Sequence, residues 1–153
     1  MLYIGIDPGK AGGIAWRGET GEAYSRKLFV TYEDNWRTIE ALLKLNIPTH
    51  ILVEKVHSMP TQGVVSTFSF GTAFGHAKSL AAISCSIYDA TWELVTPQRW
   101  QKHMGLIIKG KVDSTVKKNR HKQLALRYTK DKVTHAVSDA ILIAQYNYEV
   151  NSE

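Results

Sequence analysis

The spacing of apolar residues along the chain changes period several times, and each change marks an element. Leu2–Ile6 is a short β-rich run that breaks at Asp7-Pro-Gly-Lys10, the pattern of a strand feeding a tight loop. Gly12–Trp16 and Ala23–Val30 predict two further strands, joined by the turn-rich Gly18-Glu-Thr-Gly21. Three successive strands linked by short glycine-containing turns predict an antiparallel meander. From a cap near Asp34 the period becomes helical, with Trp36, Ile39, Leu42 and Leu43 in register, and this helix must stop before Pro48. Ile51-Leu-Val-Glu54 is a brief apolar strand that ends in an acid.

The second half is mostly helical. Residues 63–84 are compatible with one long helix, which carries Gly71, Gly75 and Ser79 at four-residue spacing as a smooth stripe for a close-packed neighbour. Trp92–Val95 predicts a fifth strand, closed by Thr96-Pro97. Asp113–Tyr128 predicts a basic helix capped by Asp113 or Ser114, and His135–Tyr148 a last helix burying Val137, Ala140, Ile141 and Ala144. This order of elements predicts an α/β fold, a five-stranded mixed sheet flanked by helices. No repeat, low-complexity tract or linker interrupts it, so residues 1–153 are expected to form one domain.

Composition narrows the class. Of the 153 residues 44% are hydrophobic, which excludes intrinsic disorder, and no apolar run approaches the ~18 residues of a membrane span. Asp7 stands where a signal peptide would be apolar, and the single cysteine, Cys85, cannot form an internal disulfide. Cys85 is expected to be a buried small hydrophobe, and the protein to be cytoplasmic. The net charge of +5 is unevenly placed: residues 99–132 hold 11 Lys and Arg against only Asp113 and Asp131, a local charge of +9. Such a block suits a polyanion-binding face, and equally a solvated lysine-rich helix.

Three acids fall at informative places. Asp7 follows the first strand, Glu54 ends the fourth, and Asp139 lies in the last helix with His135 one turn before it. If the first and fourth strands are neighbours, Asp7 and Glu54 end side by side, and the last helix can bring Asp139 against them. Carboxylates forced together repel unless a cation neutralises them, and clustered oxygens suit Mg²⁺ or Mn²⁺. Two such ions, roughly 4 Å apart, support phosphodiester hydrolysis. Singly, each acid reads as a strand terminus, a turn or a helix cap.

Tyr3-Ile-Gly-Ile-Asp-Pro-Gly9 with Gly13-Ile-Ala15, then Val53-Glu54, then Ser138-Asp-Ala-Ile-Leu-Ile-Ala144 closely resembles the three nuclease motifs of the RuvC family of Holliday-junction resolvases. Val95-Thr-Pro-Gln-Arg-Trp100 and the basic stretch behind it look like the phage-encoded branch. The resemblance spans nearly the whole chain. It implies an RNase H-like fold and a Mg²⁺-dependent homodimer, with two ions per active site and Mn²⁺ as a substitute. That homodimer makes paired nicks in opposing strands of branched DNA, in the host cytoplasm if the chain is phage-encoded. By motif position Asp7, Glu54, Asp139 and His135 would be catalytic metal ligands. Lys102, Lys109, Lys111, Lys117, Lys118, Arg120 and Lys122 would hold DNA phosphates, with one of Lys102, Lys111 or Lys117 at the scissile phosphate.

Two places depart from the family pattern. His135 and Asp139 are four apart, where many bacterial relatives have three. Lys55-Val-His57 stands where bacterial members carry a stacking aromatic, leaving His57 to stack or to be solvated. Phe68, Phe70 and Phe74 are expected in the core or a dimer interface, with contact to DNA bases as the alternative. Three other functions stay open: a nuclease for structured RNA, a junction-binding protein without activity, and an actin-like phosphotransferase, which would need a second domain.

Overall fold

In the computed structural model, which describes residues 1–9, 11–57 and 63–152, side-chain alternation along the first strand sorts the whole molecule. Lys10 of the first loop lies outside the described residues. On β1 (Leu2–Asp7), Leu2, Ile4 and Ile6 face one side, while Tyr3, Gly5 and Asp7 face the other. β2 (Gly13–Arg17) and β3 (Tyr24–Lys27) continue the antiparallel meander, and β4 (Thr49–Glu54) and β5 (Ala90–Val95) add in parallel on the other edge of β1. The order is β3-β2-β1-β4-β5. Parallel pairs need crossovers, supplied by α1 (Tyr32–Leu43) and α2 (Val64–Ile87). Both pack on the Ile4–Ile6 face with Ile14, Ile51 and Val53.

The opposite face is covered by α3 (Pro97–His103), α4 (Ser114–Ala125) and α5 (His135–Asn151), with Leu52, Val95, Trp100 and Ile141 in its core. α5 lies directly on β1. A Cβ at Gly5 would come within 2.4 Å of the Ala144 nitrogen, so only glycine permits this approach. Asn147, buried on α5, donates to the carbonyls of Ile4 and His50 at 2.9 Å each and so ties the helix to β1 and β4.

Several predicted boundaries shift for physical reasons. β3 covers Tyr24–Lys27 rather than residues 23–30, because beyond this largely exposed edge the Phe29 backbone bonds the Asn35 side chain instead of a strand, and Val30 is 99% exposed. α1 starts at Tyr32 with Thr31 as N-cap, and Asp34 instead accepts the Thr31 hydroxyl at 2.5 Å. Thr96-Pro97 ends β5 but also opens α3, with Thr96 capping the Arg99 amide and Pro97 in the first turn. α4 ends at Ala125, while its expected cap is present: Asp113 accepts from Thr115 N at 2.7 Å. α5 buries residues 140–147 continuously, since the sheet lies on one side of it and α3 and α4 on others. Gly71 and Gly75 face open space, so their stripe does not pack on the sheet. Cys85 is half-buried, a correction to its expected burial.

Candidate active site

The parity that puts Asp7 on the α5 face also puts Glu54 there, two residues beyond the buried Leu52. The β1–β4 register runs to Ile6 opposite Val53, and one further step sets Asp7 beside Glu54. The hairpin loop after Asp7 closes tightly, with Gly12 N donating to Gly9 O at 2.8 Å. Any Cβ at Gly12 would collide with the Asp7 carbonyl at 2.0 Å. The third acid, Asp139, is one residue before Ala140, whose carbonyl faces Gly5. The close packing of α5 on β1 therefore delivers it to the same end of the sheet.

Each of these three acids lies within electrostatic reach of the others. Enclosure by protein, with the charge of Asp139 second, pushes the Asp7 carboxyl up to about 6 against the opposing hydrogen bond from Gly9 N. Burial, then the charge of Asp7, raises Glu54 to about 8, with Asp139 adding to the rise. Trp100 Nε1 donating to Glu54 Oε1 at 2.8 Å and the positive charge of Lys117 both oppose it. The repulsion between Asp7 and Glu54 falls on Glu54, the group that ionises last.

Each acid has one oxygen held by an internal donor: Asp7 Oδ1 by Gly9, Glu54 Oε1 by Trp100, and Asp139 Oδ1 by His121 Nδ1 at 2.8 Å. His121 and Trp100 in turn meet edge-to-face, with ring centroids 5.5 Å apart. The remaining nitrogen of His121, Nε2, is buried without a hydrogen-bond partner among the described residues, a cost of about 1–3 kcal/mol. Sequence reasoning missed His121 altogether and took Trp100 only as part of a motif. Local spacing carried no signal for His121, since the burial of His121 and Ala125 follows from the packing of α4.

The donor set fits a hard divalent cation, because three carboxylates that raise one another's proton affinity are relieved by a positive ion. Among the described residues no three His, Cys, Asp or Glu side chains are already gathered into a cage. His135 is exposed at the first position of α5, and its side chain takes part in no hydrogen bond, ion pair or ring stacking among the described residues. The structure thus brings Asp7, Glu54 and Asp139 together and leaves His135 one turn away. His57 is likewise exposed.

On the α3 and α4 side of the sheet, Lys102, Lys109, Lys111, Lys117, Lys118 and Arg120 are exposed and Lys122 half-buried, and none takes part in an ion pair among the described residues. Lys117, whose charge reaches Glu54, also borders a cleft of about 350 Å³ with Pro97, Gln101 and Ile107. On the other side, a groove of about 720 Å³ runs from Gly9 past Lys27, Phe29 and Tyr32 to Phe68 on α2. Of the two places expected for Phe68 and Phe74, core or dimer interface, Phe74 packs on the core, while Phe68 at 76% exposed lies outside it.

A mixed five-stranded sheet in this order, with helices on both faces, is an RNase H-like fold of the RuvC type. RuvC from Thermus thermophilus superposes with a TM-score of 0.58 at 16% identity, covering 95% of this chain and 92% of that one. The same organism's RuvC in complex with a Holliday junction substrate gives 0.59 at 13% identity, covering 99% and 97%. At these identities the likeness is one of fold. No protein-family model matches the chain, and no curated protein matches it. No helix among the described residues is long and apolar enough to cross a membrane.

Proposed function

We propose that this chain is a Mg²⁺-dependent endonuclease of the RuvC type, from its phage-encoded branch, that makes paired nicks in four-way DNA junctions as a homodimer. The observation that carries the reading is the convergence of Asp7, Glu54 and Asp139 from three separate elements, each acting electrostatically on the others, with the charge of Lys117 acting on Glu54. The comparison fold includes a RuvC bound to a Holliday junction substrate, which supports branched DNA as the substrate class.

Asp7, Glu54 and Asp139 would hold the metal, two ions per site, with His135 as the fourth ligand and Mn²⁺ as a substitute. Bound there, the metal would neutralise the acids and supply Lewis acidity toward a phosphodiester. The chain's own residues do the rest. Lys102, Lys109, Lys111, Lys118, Arg120 and Lys122 seat duplex phosphates without reading sequence. Lys117, close enough to act on Glu54, stabilises negative charge at the scissile phosphate. Two opposed cuts need two equivalent sites, which a two-fold dimer presents. The exposed Val64, Val65 and Phe68 on α2, beside the open Gly71 and Gly75, offer a contact surface for it.

The test is a gel assay of end-labelled substrates in Mg²⁺. The expected result is symmetric nicking of a four-way DNA junction, with linear duplex and structured RNA left intact. Cleavage of the RNA alone would make the chain an RNA nuclease, and tight junction binding without cleavage a binding protein.

A further inference from the structure

The lysine-bearing helix and the acids are joined through one side chain. On α4, residues 114–120 are exposed, and the buried positions are His121 and Ala125. His121, 4% exposed, donates from Nδ1 to Asp139 Oδ1, since a carboxylate can only accept, and rests its ring against the edge of Trp100. The terminal torsion of an aspartate is broad, so its carboxylate takes the direction its partners impose. α5 itself imposes little, because the Ser138 hydroxyl approaches Asp139 only to 3.5 Å. The direction of Asp139 is therefore set from another helix, 18 residues earlier. His121 makes this bond while its Nε2 stays buried with no partner among the described residues, an arrangement that an apolar side chain serving packing alone would avoid.

We propose that His121 is the positioning residue of Asp139, holding its carboxylate in the direction that captures a divalent cation. This rests on the reading of the three acids as a cation site. Ligands in metal sites are oriented by such outer partners, whose loss typically weakens metal binding by about 10–100-fold.

Calorimetric titration of the full chain with Mn²⁺, without DNA, tests it on three variants. His121→Asn places an amide nitrogen near the Nδ1 position, whereas His121→Gln places one nearer Nε2. His121→Phe keeps the ring against Trp100 without a donor. Relative to wild type, Phe and Gln should bind Mn²⁺ at least about 10-fold more weakly, and Asn within about threefold. A packing role would reverse the order, with Phe unchanged and Asn, the smallest, worst. Phe or Gln binding like wild type, or a folded Asn variant as weak as Gln, overturns the proposal. Should Phe fail to fold, the Asn–Gln pair decides alone. If wild type itself binds no Mn²⁺ while remaining folded, the cation reading fails, and that outcome is distinct because all variants then match it.

Discussion

Replacing Glu54 by Gln in the metal-free protein should stabilise it, and more so as the pH rises. Glu54 is 9% exposed, and burial with the charge of Asp7 raises its carboxyl from 4.5 to about 8. A raised carboxyl means that the folded chain keeps a proton which the unfolded chain gives up. Stability is then full below about 4.5 and is lost progressively as the pH rises toward about 8. At about 1.4 kcal/mol for each tenfold change in proton affinity, the cost of ionising the buried group has a ceiling of about 5 kcal/mol. Gln carries no such cost and keeps the oxygen that accepts from Trp100 Nε1. Denaturant unfolding of chelator-treated protein at pH 4.5, 7 and 9 measures the difference. The variant should match wild type within about 1 kcal/mol at pH 4.5 and exceed it by at least ~2 kcal/mol at pH 9. Saturating Mg²⁺ should shrink or reverse the gain, because an ion that binds only the charged site stabilises wild type alone. A loss of stability of the same size at every pH would refute the reasoning, since it would mean that Glu54 serves packing rather than carrying a frustrated charge.

Three further outcomes are expected. His135→Ala should lower cleavage by more than about 10-fold, the scale of a lost ligand partner, while His135→Asp and Asp131→Ala stay near wild type; a dead Asp131→Ala enzyme with a normal His135→Ala would transfer the fourth ligand to Asp131. Neutralising Lys117, Lys118 and Lys122 together should weaken DNA binding for all sequences and flatten its logarithmic salt slope by about 0.9 for each phosphate left without its lysine, whereas an unchanged slope would turn this helix away from DNA. Light scattering at micromolar concentration should find a dimer that Val65→Glu with Phe68→Glu converts to monomer, and a monomeric wild type with and without junction DNA would contradict the two-fold arrangement.

The sheet and two of its acids were legible because strand periodicity is strict. Once Leu2–Ile6 and Ile51–Val53 are strands, Asp7 and Glu54 can only follow on fixed faces. Asp139 was legible through the buried stripe of the last helix. His121 was not, because its meaning depends on how α4 packs against α5, which local spacing does not encode. α3 was hidden inside a strand terminator, although Thr96-Pro97 is also a cap followed by a first-turn proline. Between core and dimer interface the sequence left Phe68 undecided, because an apolar residue in an apolar helix suits either; the buried residues of α2 are Ala77, Leu80, Ala81 and Ser84, and Phe68 lies outside them.

The central claim, that Asp7, Glu54 and Asp139 form one cation-dependent nuclease site for branched DNA, is tested most directly with a labelled four-way junction, Mg²⁺ and the Asp7→Asn variant. The substitution keeps the shape of a side chain that accepts a hydrogen bond from Gly9 N and removes only its charge. Wild type should nick opposing strands, and Asp7→Asn should bind the junction at least as tightly and leave it uncut. Cleavage by the variant at near wild-type rate would contradict the assignment of the site.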